Sequence, residues 1–471
     1  MKNRKIIYGI VSLAFAATSL PSCFVAKKYQ RPEIEIQDQY RDVNTNDSST
    51  LAAMPWEELF TDTNLTSLIN EALDNNLDLL MAVERVNAAE AYYKQGKAGY
   101  LPTLAIAGSG QRVEYGDNTL SGVSNSYDGG IYHQYDLSAS VTWEADIWGK
   151  IRSNKRASQA TYLKSEASRR AVQSTLVATM ASAYFQLVAL DAQAKVTSQT
   201  VTNRKEGLET MISLKNAGRV TQAAVKQTEA QLYTTEILLI DIKENINLLE
   251  NTISLLLGRN SGTIKRSSLD DQALNVELST GFPSQLLRNR PDVILAEYNF
   301  RNAFELTNVA KSSFYPTLSM SASGGFQTLD FDNWFNSNAL ISNAIANLTQ
   351  PIFNKRSIRT QYEVAKANQE EAKYNLKKAL LSASKEVSDA LYSYKTQQER
   401  YKIRQKELDA LSKAVEYSEE LLNNGYQNTT YIEVLTARTN ALSSEISTIN
   451  TKYQQLNSIV ELYLSLGGGW K

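Results

Sequence analysis

Tyr100-Leu101-Pro102-Thr103-Leu104 returns 214 residues later as Phe314-Tyr315-Pro316-Thr317-Leu318. Before each copy lies a stretch of helical periodicity. After each come two alternating strands and then a very long polar-apolar helix. A unit of this size used twice has to be read as one structural idea repeated. That excludes most enzyme folds and points to a symmetric, tube-like object. Pro102 and Pro316 mark where helix gives way to strand, because proline breaks the helical ladder and pushes the residue before it to extended geometry.

Residues 136–144 alternate, with Leu137, Ala139, Val141 and Trp143 on one face and Asp136, Ser138, Ser140, Thr142 and Glu144 on the other. Residues 317–327 do the same: Leu318, Met320, Ala322, Gly324 and Phe326 oppose Thr317, Ser319, Ser321, Ser323 and Gln327. Period two puts each set on one face of a sheet. A patchier strand is expected over 103–114, carried by Leu104, Ile106 and Val113. A fourth is expected near 340–350, where Ala344, Ala346 and Leu348 alternate but Ile345 falls on the wrong face. Strands of about nine to twelve residues cross a bilayer at a tilt. The connections 115–134 and 329–339 are polar and rich in Gly, Asn, Asp and Ser, as exposed outer loops should be. Soluble hairpins half-buried against helices would give similar patterning, so the strand count decides more. Four strands cannot close a barrel, and an open edge in hydrocarbon leaves backbone groups unpaired. The chain must therefore pool its strands with identical copies; three copies give twelve strands and two give eight.

Residues 151–215 contain no proline and one internal glycine, Gly207, and Val172, Leu176, Met180, Ala183, Leu187 and Leu190 recur at three- and four-residue intervals. Residues 355–423 have neither glycine nor proline and carry a matching stripe from Leu376 to Leu422. At 1.5 Å per residue either helix is roughly 100 Å long, which argues for a coiled coil or helical array. Gly218 and Gly425 read as C-terminal caps. The chain then reverses into helices over about 221–257 and 430–466. Two antiparallel hairpins result, with their tips pointing away from the strands.

Net charge is −1, which provides no basic field for nucleic acid. Lys2, Arg4 and Lys5 precede a mostly apolar run, Ile6 to Leu20, shorter than a membrane-spanning helix needs. It ends at Leu20-Pro21-Ser22-Cys23, read as a lipoprotein cleavage site with lipid on Cys23, the sole cysteine. Residues 24 to 55 read as an extended polar tether. Beyond the leader no apolar run matches a spanning helix, so a membrane would be crossed by strands. The single histidine, His133, is expected in a polar loop. No carboxylate pair stands out and no His-Met-Cys cluster suggests soft metals, so neither catalysis nor a metal or other cofactor is expected.

Trp56, Phe60, Asp62, Leu65, Leu68, Ile69, Ala72, Leu73, Asn75, Asp78, Leu79, Ala82, Arg85 and Val86 in the first copy, Leu286-Leu287, Arg290-Pro291-Asp292-Val293 and Ala296-Glu297 in the second, and Trp143-Glu144-Ala145-Asp146-Ile147-Trp148-Gly149-Lys150-Ile151-Arg152 between them resemble the bacterial outer-membrane efflux channels, in particular their lipid-anchored branch. The resemblance covers about 55–467. It implies a mixed α/β membrane protein: a homotrimer whose twelve-stranded outer-membrane β-barrel, four strands per protomer, continues into a long periplasmic α-helical barrel. It also implies a periplasmic adaptor and an inner-membrane efflux pump as partners, and no catalysis by the channel.

The expected division is a lipoprotein signal peptide (1–22), a lipid-anchored tether (23–55), repeat 1 (56–258, hairpin 103–144, tip near 218), an equatorial linker (259–282), repeat 2 (283–467, hairpin 317–350, tip near 425) and a tail (468–471). Arg290, Pro291 and Asp292 are expected to start a helix, with Pro291 in its first turn and Asp292 at the positive end of its dipole. Gly218-Arg219-Val220 and Gly425-Tyr426-Gln427 are expected to contact the adaptor, the second tip also lining the closed aperture. Asn423 through Ile432 contains no acidic residue, which speaks against a charged, cation-binding gate. A lipid-anchored structural or adhesive protein, or a passive porin-like channel, is the rival reading; the transported substrate is not legible.

Overall fold

Helix gives way to strand at both repeated prolines. Short helical turns aside, the elements described are, in chain order, α1 (Thr63–Asn75), α2 (Leu77–Ala98), β1 (Thr103–Glu114), β2 (Ile131–Glu144), α3 (Lys150–Asn216), α4 (Gln222–Leu256), α5 (Pro291–Ser312), β3 (Thr317–Thr328), β4 (Leu340–Thr349), α6 (Ser357–Asn423) and α7 (Tyr431–Leu466). This computed structural model describes residues 25–34, 50–116, 131–272, 285–424 and 431–470. Cys23, Gly425, Tyr426 and Gln427 lie outside the described residues, as do the leader, much of the expected tether and the later half of the expected linker. The chain divides into two compact units, each drawing on both repeats. One takes Met1–Glu33, Ala88–Leu163 and Glu297–Tyr374; the other takes Ile34–Asn87, Lys164–Ala296 and Asn375–Lys471.

The first unit holds a four-stranded antiparallel sheet in the order β1-β2-β3-β4. The central pairing, β2 with β3, joins the two repeats. Its register aligns Leu137 with Phe326, Ala139 with Gly324, Val141 with Ala322 and Trp143 with Met320. Leu104 and Ile106 pair with Val141 and Ala139, and Met320 and Leu318 with Ala346 and Leu348. Leu104 and Ile106 of β1 and the alternating apolar residues of β2, β3 and β4 therefore share one face, which a one-residue slip would scatter; Val113, expected with Leu104 and Ile106, pairs with Tyr132 on the other face. Ile341 and Ile345 fall on the other face with Asn343 and Asn347.

β2 begins at Ile131, five residues before the alternation suggested. His133 accordingly lies in a strand opposite Arg112, with its ring stacked at 6.4 Å on Tyr135. The expectation of a loop histidine is corrected: a glycine- and tyrosine-rich stretch masked the pattern, and pairing with β1 extends the strand. Gly325 allows the two central backbones to approach. A Cβ built there would lie 2.1 Å from the Leu137 carbonyl oxygen, so only glycine fits.

Below the sheet, Asp146 starts α3: Oδ1 accepts from the Ile151 N–H (2.9 Å) and Oδ2 from that of Arg152 (3.1 Å). Trp148 Nε1 donates to the Pro316 carbonyl (2.7 Å), tying the first strand-to-helix corner to the second helix-to-strand corner. α6 starts at Ser357 because Lys355 and Arg356 take left-handed φ of 54° and 64°. The early tether is extended but not loose. Over 25–34 it lies along α5, with Lys27 N–H and C=O both paired to the Asn308 amide (3.1 and 3.0 Å). Tyr29 packs on Phe300 and Phe304, and Arg31 grips Glu297.

The second unit carries the main apolar core. Trp56, Phe60, Leu65 and Ile69 pack with Val177, Met180, Tyr184 and Leu187 of α3, Leu376, Leu380 and Val387 of α6, and Leu456, Leu462 and Tyr463 of α7. One stretch of α3 is long and apolar enough by composition to cross a membrane, but most of it is buried in the protein. The return helices end alike. Gly258 (φ 68°) and Gly467 (φ 95°) follow α4 and α7, with Arg259 N–H bonded to Ser254 C=O and Gly468 N–H to Tyr463 C=O, a pairing across the helix end that suits glycine. A Cβ at Gly258 would meet Asn75 C=O at 2.3 Å, and one at Gly467 would meet Asn289 backbone at 2.6 Å. Each return helix thus ends against the entrance of its own repeat.

Candidate functional site

The sheet's apolar face is uncovered. Leu104 is 67% exposed, Ile106 75% and Leu348 68%, whereas core positions of comparable residue types in the second unit are buried. The opposite face carries Ser138, Ser140, Ser321, Ser323, Asn343 and Asn347. Trp143 stands on the apolar face near the strand end, its Nε1 donating to Tyr100 C=O at 2.9 Å. β1 and β4 are the edges. The sheet thus has one largely apolar and one largely polar face, and an edge strand on each side.

At the first hairpin tip, Gly218 has a φ of 71° with open space around it, and Arg219 N–H bonds to Leu214 C=O. Gly218 and Arg219 are exposed and Val220 is half-buried. Thr221 restarts the helix, its Oγ1 accepting from Ala224 N–H (3.2 Å). Behind the tip sits a group that sequence reasoning missed. Arg204 is buried; its Nη1 donates to Gln231 C=O (2.6 Å) and Oε1 (2.9 Å), and its Nη2 to Thr439 Oγ1 (3.2 Å). It joins α3 to both return helices, and burial pushes its pKa down. Arg438 Nε donates to Glu419 at 2.7 Å, joining α7 to α6. Arg204, Arg438 and Glu419 line a cleft of about 530 Å³ with Tyr431 and Glu445. The only signal in the sequence was an arginine at helical spacing in the buried row Thr197, Val201, Arg204, Met211.

Arg290, Pro291 and Asp292 come together at the start of α5. Pro291 is its first residue. Asp292 sits in the first turn, yet its carboxylate turns back to accept from Arg290 Nε (2.9 Å) and Nη2 (2.7 Å). Arg290 Nη1 donates to Ser465 C=O in the last turn of α7 (2.9 Å) and lies 2.7 Å from Glu386 of α6. Burial opposes its charge, but Asp292 and Glu386 outweigh this and raise its pKa. The first repeat holds an analogue: Asn76 Nδ2 donates to Leu256 C=O at the end of α4 (2.9 Å). A cleft of about 460 Å³ beside Arg290 is lined by Asp389, Ser174 and Glu461.

Asp62, quoted in the resemblance, caps α1 through Asn64 N–H (2.8 Å) and also accepts from Tyr184 Oη (2.7 Å) and Gln272 Nε2 (2.6 Å). Burial raises its pKa, but these donors prevail and hold it below the usual value. Tyr184 is pushed up to about 12, chiefly by burial. Among the described residues no cluster of His, Cys, Asp or Glu is arranged to hold a metal ion.

Comparison with known proteins agrees with this architecture. The family described as "Outer membrane efflux protein" matches residues 68–259 and 282–468, one segment for each repeat. The solvent efflux pump outer membrane protein SrpC of Pseudomonas putida is 30% identical over 97% of both chains. The cation efflux system protein CusC of Escherichia coli is 26% identical over 97% of both. A membrane protein from Pseudomonas aeruginosa of known crystal structure shares the fold with a TM-score of 0.87 over 95% of this chain and 98% of that one, at 24% identity. The chain belongs to the outer membrane efflux protein family and is an outer-membrane exit channel component, a transport protein and not an enzyme.

Proposed function

We propose that three copies of this chain close a twelve-stranded barrel in the outer membrane, β4 of each protomer pairing with β1 of the next, and that the helical hairpins continue it as a periplasmic tunnel. The observation that carries this is the register, which gathers most of the apolar residues of the four strands on one face and leaves β1 and β4 as open edges. In hydrocarbon such edges have to pair. Two copies would give eight strands, a barrel filled by its own side chains, which leaves an exporter no passage. The polar face then lines the lumen.

Substrates pass from an inner-membrane pump through a periplasmic adaptor into this tunnel. The adaptor meets the tips at Gly218, Arg219 and Val220 and at Gly425, Tyr426 and Gln427, and the second tip lines the closed aperture. Cys23 carries lipid, and the tether over 23–55 and the linker over 259–282 complete the periplasmic part. Relatives are named for a solvent pump and for a cation system, so likeness of the channel leaves the cargo to the pump. The test is cysteine cross-linking of the two edges, Ala107→Cys with Asn343→Cys, in membranes. A ladder ending at trimer supports the reading; a ladder ending at dimer, or none, overturns it. Planar-bilayer conductance and toxic-compound tolerance that depends on both pump and adaptor complete the test.

A further inference from the structure

The connection 329–339 has the Asp, Asn and Ser content of a water-exposed loop, but its aromatic residues fold elsewhere. Phe331, Trp334 and Phe335 of the loop join Tyr135 of β2 and Phe326 of β3 in one connected set of rings. Centroid separations are 5.2 Å for Tyr135–Phe331, 5.5 Å for Tyr135–Trp334 and Phe331–Trp334, 5.6 Å for Trp334–Phe335 and 5.7 Å for Phe326–Phe335. The ladder fixes the side on which they lie. Phe326 pairs with Leu137, and Tyr135 is two residues along from Leu137, so both rings share the face of Val141 and Met320. The rings of the loop therefore lie on the apolar side, while its Asp330, Asn333 and Asn338 line a cleft with Gln134 and Gln327 of the polar face.

Its conformation is set by its own side chains. Asp330 Oδ1 accepts from Asp332 N–H and starts the turn Phe331–Asn333; Asn336 Oδ1 accepts from Asn338 N–H and starts the turn Ser337–Ala339 (3.2 Å each). Held this way, Leu329 is 64% exposed, Phe331 60% and Phe335 68%. Large apolar side chains clustered in the open mark a contact surface. The patch continues the uncovered face of the strands, and rings gather where hydrocarbon meets headgroups. From Trp143 to Tyr135 the strand runs about 27 Å, most of the apolar band of such a barrel once tilted.

We infer that 329–339 is a membrane-seated element: Leu329, Phe331 and Phe335 rest against acyl chains at the outer boundary of the bilayer, while Asp332 and Asn338 stay in water. This rests on the reading of the sheet as a transmembrane barrel wall, so the experiment carries a control for that reading. In the full chain, Phe335→Cys, Asn338→Cys and Ala139→Cys are each spin-labelled in lipid nanodiscs, the unsubstituted chain being the blank for Cys23. Collision with oxygen is compared with collision with a water-soluble nickel chelate. The oxygen-to-nickel ratio is expected to be several-fold higher at 335 than at 338, and high at 139. A high ratio at 139 with an equally low ratio at 335 and 338 overturns the loop assignment alone. A label at 335 shielded from both reagents also overturns it, because the ring is then covered by protein. A low ratio at 139 sinks the barrel wall itself.

Discussion

Replacing Arg290 by alanine tests how the second repeat is closed. Its side chain is 10% exposed, whereas those of Asp292 and Glu386 are each 50% exposed. The two carboxylates keep half their surface in water when the arginine goes, so each lost ion pair is worth about 0–1 kcal/mol. The Ser465 carbonyl is different: the residue is buried in the last turn of α7, and Nη1 donates to it. Losing a charged donor to a buried carbonyl costs about 1.5–3 kcal/mol. Arg290→Ala should therefore cost about 3 kcal/mol, most of it from the carbonyl, and Arg290→Lys about half as much, since a lysine cannot serve a forked carboxylate and a carbonyl together. Thermal unfolding of the detergent-solubilised protein, followed by helical circular dichroism, measures the order of the variants. Glu386→Gln alone should lower the midpoint little. Export per assembled channel should be unchanged, because the loss lies in folding. A wild-type midpoint for Arg290→Ala would refute the argument, as would a Glu386→Gln loss equal to that of Arg290→Ala.

Gly325→Val drives a side chain into the β2 backbone; overpacking costs about 1–3 kcal/mol or more, and the yield of membrane-assembled protein should fall, with Gly324→Ala, which meets only Ile341 C=O at 3.7 Å, as the tolerated control. Gly425→Glu should abolish export while leaving assembly intact; unchanged export sinks the aperture assignment. Asp62 is held below its unfolded value of 3.8, so its contribution to stability is complete above about pH 4 and lost as pH falls through the lower folded value. Tyr184, raised from 10.0 to about 12, contributes fully below pH 10 and loses its contribution as pH climbs towards 12. Asp62→Ala should flatten the acid limb of a stability-against-pH curve; an unaltered limb removes Asp62 from the account.

Much of this fold was legible in the sequence because its signals are local. Pro102 and Pro316 act through the chain beside them, and strand alternation needs only period two. Helices 67 residues long declare themselves by the want of breakers. The start of β2 was less legible: His133 and Tyr135 carry no clean alternation, and Arg112 and Gly110 across the ladder decide their conformation. The loop 329–339 is exposed as its composition suggested, but the placing of its rings was not legible, for a related reason. Its polar residues are spent on turns, and its rings answer to Tyr135, which is distant in sequence.

The sequence by itself determined the repeat, the order of the main helices and strands and the apolar sidedness of β2 and β3, since these follow from short-range sterics and periodicity. Only the tertiary structure decided that β2 pairs with β3 across the repeats, and that Arg204 and Arg290 are buried ties between helices. Those are contacts between residues far apart in the chain: the register came from matching four faces at once, and an arginine's role depends on which carbonyl or carboxylate folding brings within reach of its guanidinium.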